Sequence, residues 1–269
     1  MPSTDRNADS LPDRLKGADA PPPRSDFAIV ATQRTGSTLL EELLGSADDC
    51  HVFPELLAVQ QPFHVPRRAI RKGFVDQQDV DAFQEALLAI KYGLYRRDHG
   101  GPVSLGAHLM WNQISDRLVE RLIGRGQKMV FLERDNILAI YRSATFAREK
   151  GLSHVRDGSN TARTDKVAYD HARFQRFHQR ISDFYARRKA LAEKFGPETM
   201  TIKYADLARD KTTVVNQVRA FLGLPRQDSI SSDLQKRQSA NPIDGFSNPD
   251  EVRTGIARLG LDHYLQPEY

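Results

Sequence analysis

Apolar residues along this chain switch repeatedly between an extended period and a helical one. Phe27 to Thr32 is an unbroken, β-prone run and predicts a buried strand. Leu39, Leu40, Leu43 and Leu44 then recur at helical spacing, and Gly45 stands where a C-cap is expected. Val80, Phe83, Leu87, Ile90 and Leu94 predict a second amphipathic helix. Val103, Leu105, Ala107, Leu109 and Trp111 alternate with Ser104, Gly106, His108 and Met110, the period of a strand. Ile114, Leu118 and Leu122 mark a short helix ending near Gly124. Met129 to Leu132 is another buried strand, followed at once by a helix through Ile137, Ile140 and Tyr141. The longest helical pattern covers 166–195, with Phe174, Phe177, Ile181, Phe184 and Leu191 on one side, and stops at Gly196-Pro197. Met200 to Tyr204 predicts a short strand. Val214, Val215, Val218, Phe221 and Leu222 predict a helix closed by Gly223 and Pro225. Asn248-Pro249-Asp250-Glu251 sets an N-cap, a Pro at N1 and a Glu at N3 for one more helix. Strands alternating with helices predict an α/β fold with a largely parallel sheet.

Residues 1–25 break this pattern. They hold Pro2, Pro12 and Pro21-Pro22-Pro23 with few large apolar side chains, and predict a disordered tail before a single domain at 26–269. No apolar run is long enough to cross a bilayer, and the first residues lack the apolar core of a secretory signal. Cys50 is the only cysteine, so neither an intrachain disulfide nor a zinc site of several thiolates is available, and a cytoplasmic location is expected. Lys and Arg number 39 against 35 Asp and Glu, a formal charge of +4. That mild excess suits a small polyanion, while the lack of a basic run with interleaved aromatics argues against nucleic acid.

Candidate chemistry sits in two strand-to-helix turns. The first, Gln33-Arg34-Thr35-Gly36-Ser37-Thr38, follows a buried strand and opens a helix whose first N–H groups are unpaired. Gly36 admits an oxyanion close to the backbone, Ser37 and Thr38 add hydroxyls, and Arg34 adds a forked cation. It is not a Walker A loop: Ala31 stands at the first Gly position and Ser37 at the Lys position. Taken alone, it reads equally as a plain turn with small capping residues. In the second turn Arg134 leaves the strand end and Ser143 follows nine residues on. If the two strands are neighbours, both turns open at one sheet edge, where such folds bind ligands.

Together these motifs resemble the sulfotransferases that use 3′-phosphoadenosine 5′-phosphosulfate, above all the bacterial branch with the trehalose and Nod-factor enzymes. Residues 31–40 match that branch's 5′-phosphosulfate loop, and Arg134 with Ser143 matches its 3′-phosphate motif. Gly106 with residues 109–113, then 204–207 with 221–224, then 236–238 with 247–252, follow in family order. The resemblance spans roughly 26–259. It implies a P-loop-like three-layer sandwich and in-line transfer of a sulfonate to a hydroxyl or amine of a carbohydrate or small metabolite, with no metal. Arg34, Thr35, Gly36, Ser37 and Thr38 would hold the 5′ end, with Arg34 stabilising the leaving phosphate. Arg134 and Ser143, with Lys236 and Arg237, would hold the 3′-phosphate. Glu55 is the first candidate for the general base, with His51, His64 and His108 as rivals. His108 stands where the family usually has a Lys. The acceptor would lie against 53–78 and 145–175, where His64, Arg67, Arg68, Arg71, Phe63 and Phe74 are available. A homodimer stays open. The competing readings are an ATP- and Mg-dependent P-loop phosphotransferase and a non-catalytic nucleotide-binding module.

Overall fold

The computed structural model describes residues 25–58, 64–100, 103–150, 166–232 and 241–268. The expected tail therefore lies, apart from Ser25, outside the described residues. In chain order the elements are β1 (Phe27–Ala31), α1 (Ser37–Leu44), β2 (Cys50–Phe53), α2 (Arg67–Arg71), α3 (Gln77–His99), β3 (Ser104–Met110), α4 (Asp116–Gly124) and β4 (Lys128–Glu133). There follow α5 (Ile137–Lys150), α6 (His171–Phe195), β5 (Thr199–Lys203), α7 (Tyr204–Arg209), α8 (Lys211–Phe221) and α9 (Pro249–Arg258), with 3-10 turns at Pro242–Gly245 and Asp262–Leu265.

The strands form one sheet in the order β2-β3-β1-β4-β5, every pair parallel. Parallel strands need crossovers, and the helices that make them cover both faces. Ala28, Val30, Leu105, Ala107, Leu109, Met129 and Phe131 face α3, α4 and α6. Phe27, Ile29, Ala31, Val130, Leu132 and Ile202 face α1, α7 and α8. The result is the expected three-layer sandwich. A third cluster around Tyr141 joins α5 and α6 to α9 and the turn at Asp262–Leu265.

Several local expectations change in this setting. The alternation in β3 does not mark a wet face, because β3 lies between β1 and β2 and every residue of it is buried. Its small and polar positions meet α1's layer instead, and Gly106 leaves room for the Phe27 ring. In α3 the expected stripe is only partly inward: Val80 and Leu87 are buried, together with Leu88 and Tyr92, while Phe83, Ile90 and Leu94 are exposed. Asp81 and Glu85 go inward with them. Ser115 and Gln77 donate to Asp81 at 2.7 Å each, and Arg121 and Arg125 pair with Glu85. Polar residues can occupy an inner face when each has such a partner.

The long helix starts at His171, not 166, capped by the Asp170 carboxylate accepting from Arg173 N at 2.9 Å. Val167 instead makes a single parallel bridge with Phe246. Asn248 precedes α9 as expected but does not cap it with its side chain. Its Oδ1 accepts from Tyr169 N at 2.8 Å and its Nδ2 donates to Tyr169 O at 3.0 Å, clamping that bridge in place. Gly45 ends α1 at φ −77°, without the left-handed turn that a glycine cap suggests. β2 carried no periodic signal because four residues containing Cys50 and His51 are too few to show one.

Gly106→Ala would place a methyl on the Phe27 ring between two central strands. Overpacking of this kind costs about 1–3 kcal/mol, and chemical denaturation should read that loss, with the midpoint falling and the slope unchanged.

Candidate active site

Ala31 at the end of β1 is paired with Leu132 of β4 on one side and Met110 of β3 on the other. The turns that follow β1 and β4 therefore leave the sheet side by side. In the first turn Arg34 and Gly36 both adopt left-handed backbone, at φ 67° and φ 87°. For glycine this is free; for arginine it costs of order 1–3 kcal/mol, a strain that the surrounding structure must hold. Thr35 helps, its hydroxyl donating to Thr32 O at 2.8 Å. Gly36 is the N-cap of α1 and has no side chain to offer, and its carbonyl takes Leu40 N at 3.1 Å. The N–H groups of the first turn before Leu40 thus belong to the set a helix leaves unpaired, at the positive end of its dipole. Tyr204, the first residue of α7, closes over the turn: a Cβ on Gly36 would stand 2.5 Å from its ring.

Arg34 reaches across to the second motif. Its Nε donates to Ser143 Oγ on α5 at 2.8 Å. Arg134 meets the same turn from the other side, its Nη1 donating to Arg34 O at 3.1 Å. The two motifs, about a hundred residues apart, form one connected site.

Arg134 is only 6% exposed. Its backbone is held by Tyr185 of α6, whose hydroxyl accepts from Arg134 N at 3.0 Å and donates to Arg134 O at 3.2 Å. Burial pushes the Tyr185 hydroxyl up to about 12, so it keeps the proton it donates. The guanidinium lies 4.5 Å from the Tyr204 ring centre, a cation–π contact. The neighbouring acids do not neutralise it. Glu133 and Asp135 both accept from Lys203 Nζ at 2.8 Å. Burial alone would lower Lys203, but these two carboxylates outweigh it and hold the ammonium above its usual range. Arg134 instead presents Nε and Nη2 to Glu268, at 2.8 and 2.5 Å. Arg142 packs against Gly245 nearby, and burial pulls its guanidinium below the ordinary value, opposed by Asp244 and assisted by Arg134.

The other candidates separate. Glu55 lies two residues beyond β2, half-buried, at the same edge of the sheet, its carbonyl accepting from Ala58 N at 3.0 Å. Two strand spacings separate β2 from β1, about 10 Å. His64 stands beside that loop, with Nδ1 3.2 Å from Leu57 O. His108 is not brought to the edge. It is 1% exposed and pairs in register with Ile29, two residues before β1 ends. Its Nδ1 lies 3.0 Å from Glu41 Oε2 on α1, and its Nε2 is buried without a hydrogen-bond partner among the described residues. His51 is lower still, beside Leu105 in register, stacked on Tyr95 at 4.3 Å. Burial and the neighbouring His99 lower its basicity, against a weaker opposing pull from Glu41. Burial drives the Cys50 thiol to about 12, so it stays protonated and is no nucleophile.

Arg68 and Arg71 are exposed, and Phe74 is 76% exposed. Lys236, Arg237, Phe63 and the side chain of Arg67 lie outside the described residues. Among the described residues no three His, Cys, Asp or Glu side chains are grouped to hold a metal ion, and no helix is long and apolar enough to cross a membrane. Tyr185, Lys203 and Glu268 were not legible as site residues in the sequence, since each acts through a contact 51 to 134 residues away. Tyr204 was visible only as part of a short motif.

No family model matches the chain. It is 26% identical over 242 residues to nodulation protein H of Rhizobium meliloti, covering 88% of this chain and 92% of that protein. Its fold is that of solved sulfotransferases. The sulfotransferase from Alicyclobacillus acidocaldarius superposes with a TM-score of 0.50 at 15% identity, covering 90% of this chain and 96% of that one. The sulfotransferase domain of the Synechococcus PCC 7002 olefin synthase gives 0.50 at 16% identity, covering 92% and 89%. The resemblance carried by the short motifs thus extends along nearly the whole chain.

Gly36→Ala would force a left-handed alanine onto the Tyr204 ring. A left-handed non-glycine costs roughly 1–2 kcal/mol before any clash. The variant should lose at least that much stability, read as a lower midpoint in chemical denaturation.

Proposed function

We propose that this chain, sulfotransferase-like in sequence and fold, is a cytoplasmic enzyme. It would transfer a sulfonate from 3′-phosphoadenosine 5′-phosphosulfate to a hydroxyl or amine of a carbohydrate or small metabolite. The observation that carries this is the Arg34–Ser143 hydrogen bond together with the Arg134 bond to Arg34 O. They join a helix N-terminus, two guanidinium groups and a hydroxyl into one site suited to a ligand with anions at both ends. An ATP-dependent phosphotransferase is less well supported, because Ser37 stands where its phosphate-binding Lys would be.

The donor is a substrate whose sulfur–oxygen bond to phosphate breaks as the bond to the acceptor forms. The chain's residues supply position and charge. The N–H groups at the start of α1 and the Arg34 guanidinium would stabilise the negative charge that grows on the departing phosphate, the kind of preorganised stabilisation that usually dominates a catalysed rate. Arg134 and Ser143 hold the 3′-phosphate, so their contribution is binding and orientation. Glu55 is the proposed base that takes the acceptor's proton: it is a half-buried carboxylate at the same edge, on the side of the sheet away from Arg134. His108 would act at a remove. By gripping Glu41 it fixes α1, and hence the turn, against β3.

Three outcomes test this reading. Arg34→Ala should lower kcat by about 100-fold or more, the scale of losing one charge-stabilising donor, with a much smaller change in donor binding. Equal losses in both would remove its transition-state role. Arg134→Ala should weaken adenosine 3′,5′-bisphosphate by about tenfold or more, as expected for a charged hydrogen-bonding partner, and leave AMP nearly unchanged. Binding of the bisphosphate should persist in chelator; binding of ATP with Mg²⁺ alone would favour a phosphotransferase.

A further inference from the structure

The Arg134 guanidinium is engaged on the fork that a phosphate would use. Glu268 takes both Nε and Nη2, and the pair is well buried, with side chains 7% and 10% exposed. The approach is built into the fold. Asn136, two residues past Arg134, caps α5 through Ala139 N at 3.0 Å and donates to Tyr264 O at 2.9 Å. Tyr264 is itself buried, its hydroxyl 3.2 Å from His178 Nε2. The segment that carries Glu268 is therefore pinned, four residues earlier, to the very turn that carries Arg134.

We propose that Glu268 is an internal competitor for the 3′-phosphate: its carboxylate occupies the Arg134 fork when no nucleotide is bound and must leave for the donor or its product to seat fully. This rests on the donor-site reading above. The chemistry is an exchange of like for like. Carboxylate and phosphate both accept two parallel N–H bonds from a guanidinium. A carboxylate and a phosphate cannot both take the Nε and Nη2 pair of Arg134, and one donor of Nη1 is already given to Arg34 O. Removing a carboxylate from a buried pair without replacement is costly. An arriving phosphate replaces it, so the price appears only as reduced affinity, by the fraction of molecules in which the fork is open. The consequence for turnover is a weaker hold on the bisphosphate product, and product release is the slow step of many enzymes.

The test is calorimetric titration of the full chain and its Glu268→Gln and Glu268→Asp variants with adenosine 3′,5′-bisphosphate and with AMP. Displacement stopped-flow supplies the dissociation rate. Glu268→Gln should bind the bisphosphate about tenfold or more tightly, release it correspondingly slowly, and bind AMP as the wild type does. The shorter Glu268→Asp should fall between. Unchanged or weaker bisphosphate binding in Glu268→Gln would overturn the competitor, while leaving the donor site intact. Equal tightening of AMP would also overturn it, because the effect would then not lie at the 3′-phosphate. Failure of the bisphosphate to bind wild type and variant alike would instead overturn the donor-site reading, and the competitor with it.

Discussion

Parallel pairing of β1 with β3 on one side and β4 on the other is the constraint from which the site follows. In a parallel sheet every strand ends at the same edge, so the register that places Ala31 beside Met110 and Leu132 also places their turns side by side. Neither turn is much of a binding site alone. One is a helix start with a strained arginine, the other a strand end with a buried arginine. Brought to one edge, they are joined through the Arg34 carbonyl and the Ser143 hydroxyl, and two guanidinium groups stand in one connected site.

Burying arginine is expensive unless its donors are met. The chain pairs its buried arginines in two different ways, and Arg188 Nε and Nη1 and Arg219 Nη1 are left without a hydrogen-bond partner among the described residues. Away from the site, Arg219 donates to both oxygens of Asp49 and to Pro225 O, and Arg188 donates to Asp116. Those pairs tie layers together and involve no strained turn. At the site, the fixed partners are a carbonyl, a hydroxyl and an aromatic face, which satisfy donors without cancelling charge. Lys203 draws Glu133 and Asp135 away from Arg134. The carboxylate that does take the Arg134 fork, that of Glu268, comes from a different part of the chain, beyond α9.

The layers around the sheet explain which substitutions the fold absorbs. A histidine at 108 is accommodated because α1 supplies Glu41 over that strand position. A glycine at 106 is required because Phe27 fills the space beside it. Asp81 and Glu85 point inward from α3 because α4 and its flanks offer Ser115, Arg121 and Arg125. In each case the pairing partner is distant in sequence, and the local pattern alone misleads.

How much was legible in the sequence follows from the range of each interaction. Buried strands at 27–32 and 129–132, the turn at 33–38, the Gly36 and Arg34 pair and the Arg134 to Ser143 spacing all depend on neighbours a few residues away, and all could be read. So could the alternation of strand and helix that makes the sheet parallel. The exposed apolar side of α3, the delayed start of α6, the use of Asn248 as a clamp and the withdrawal of His108 from the sheet edge could not. Each is decided by a partner 67 to 79 residues off or by which layer covers a face. Local sequence specified two strand-to-helix turns carrying candidate anion-binding residues, and their order along the chain. Tertiary structure alone decided that they meet, because strand order and register, not spacing along the chain, put Arg34 against Ser143 and Glu268 onto Arg134.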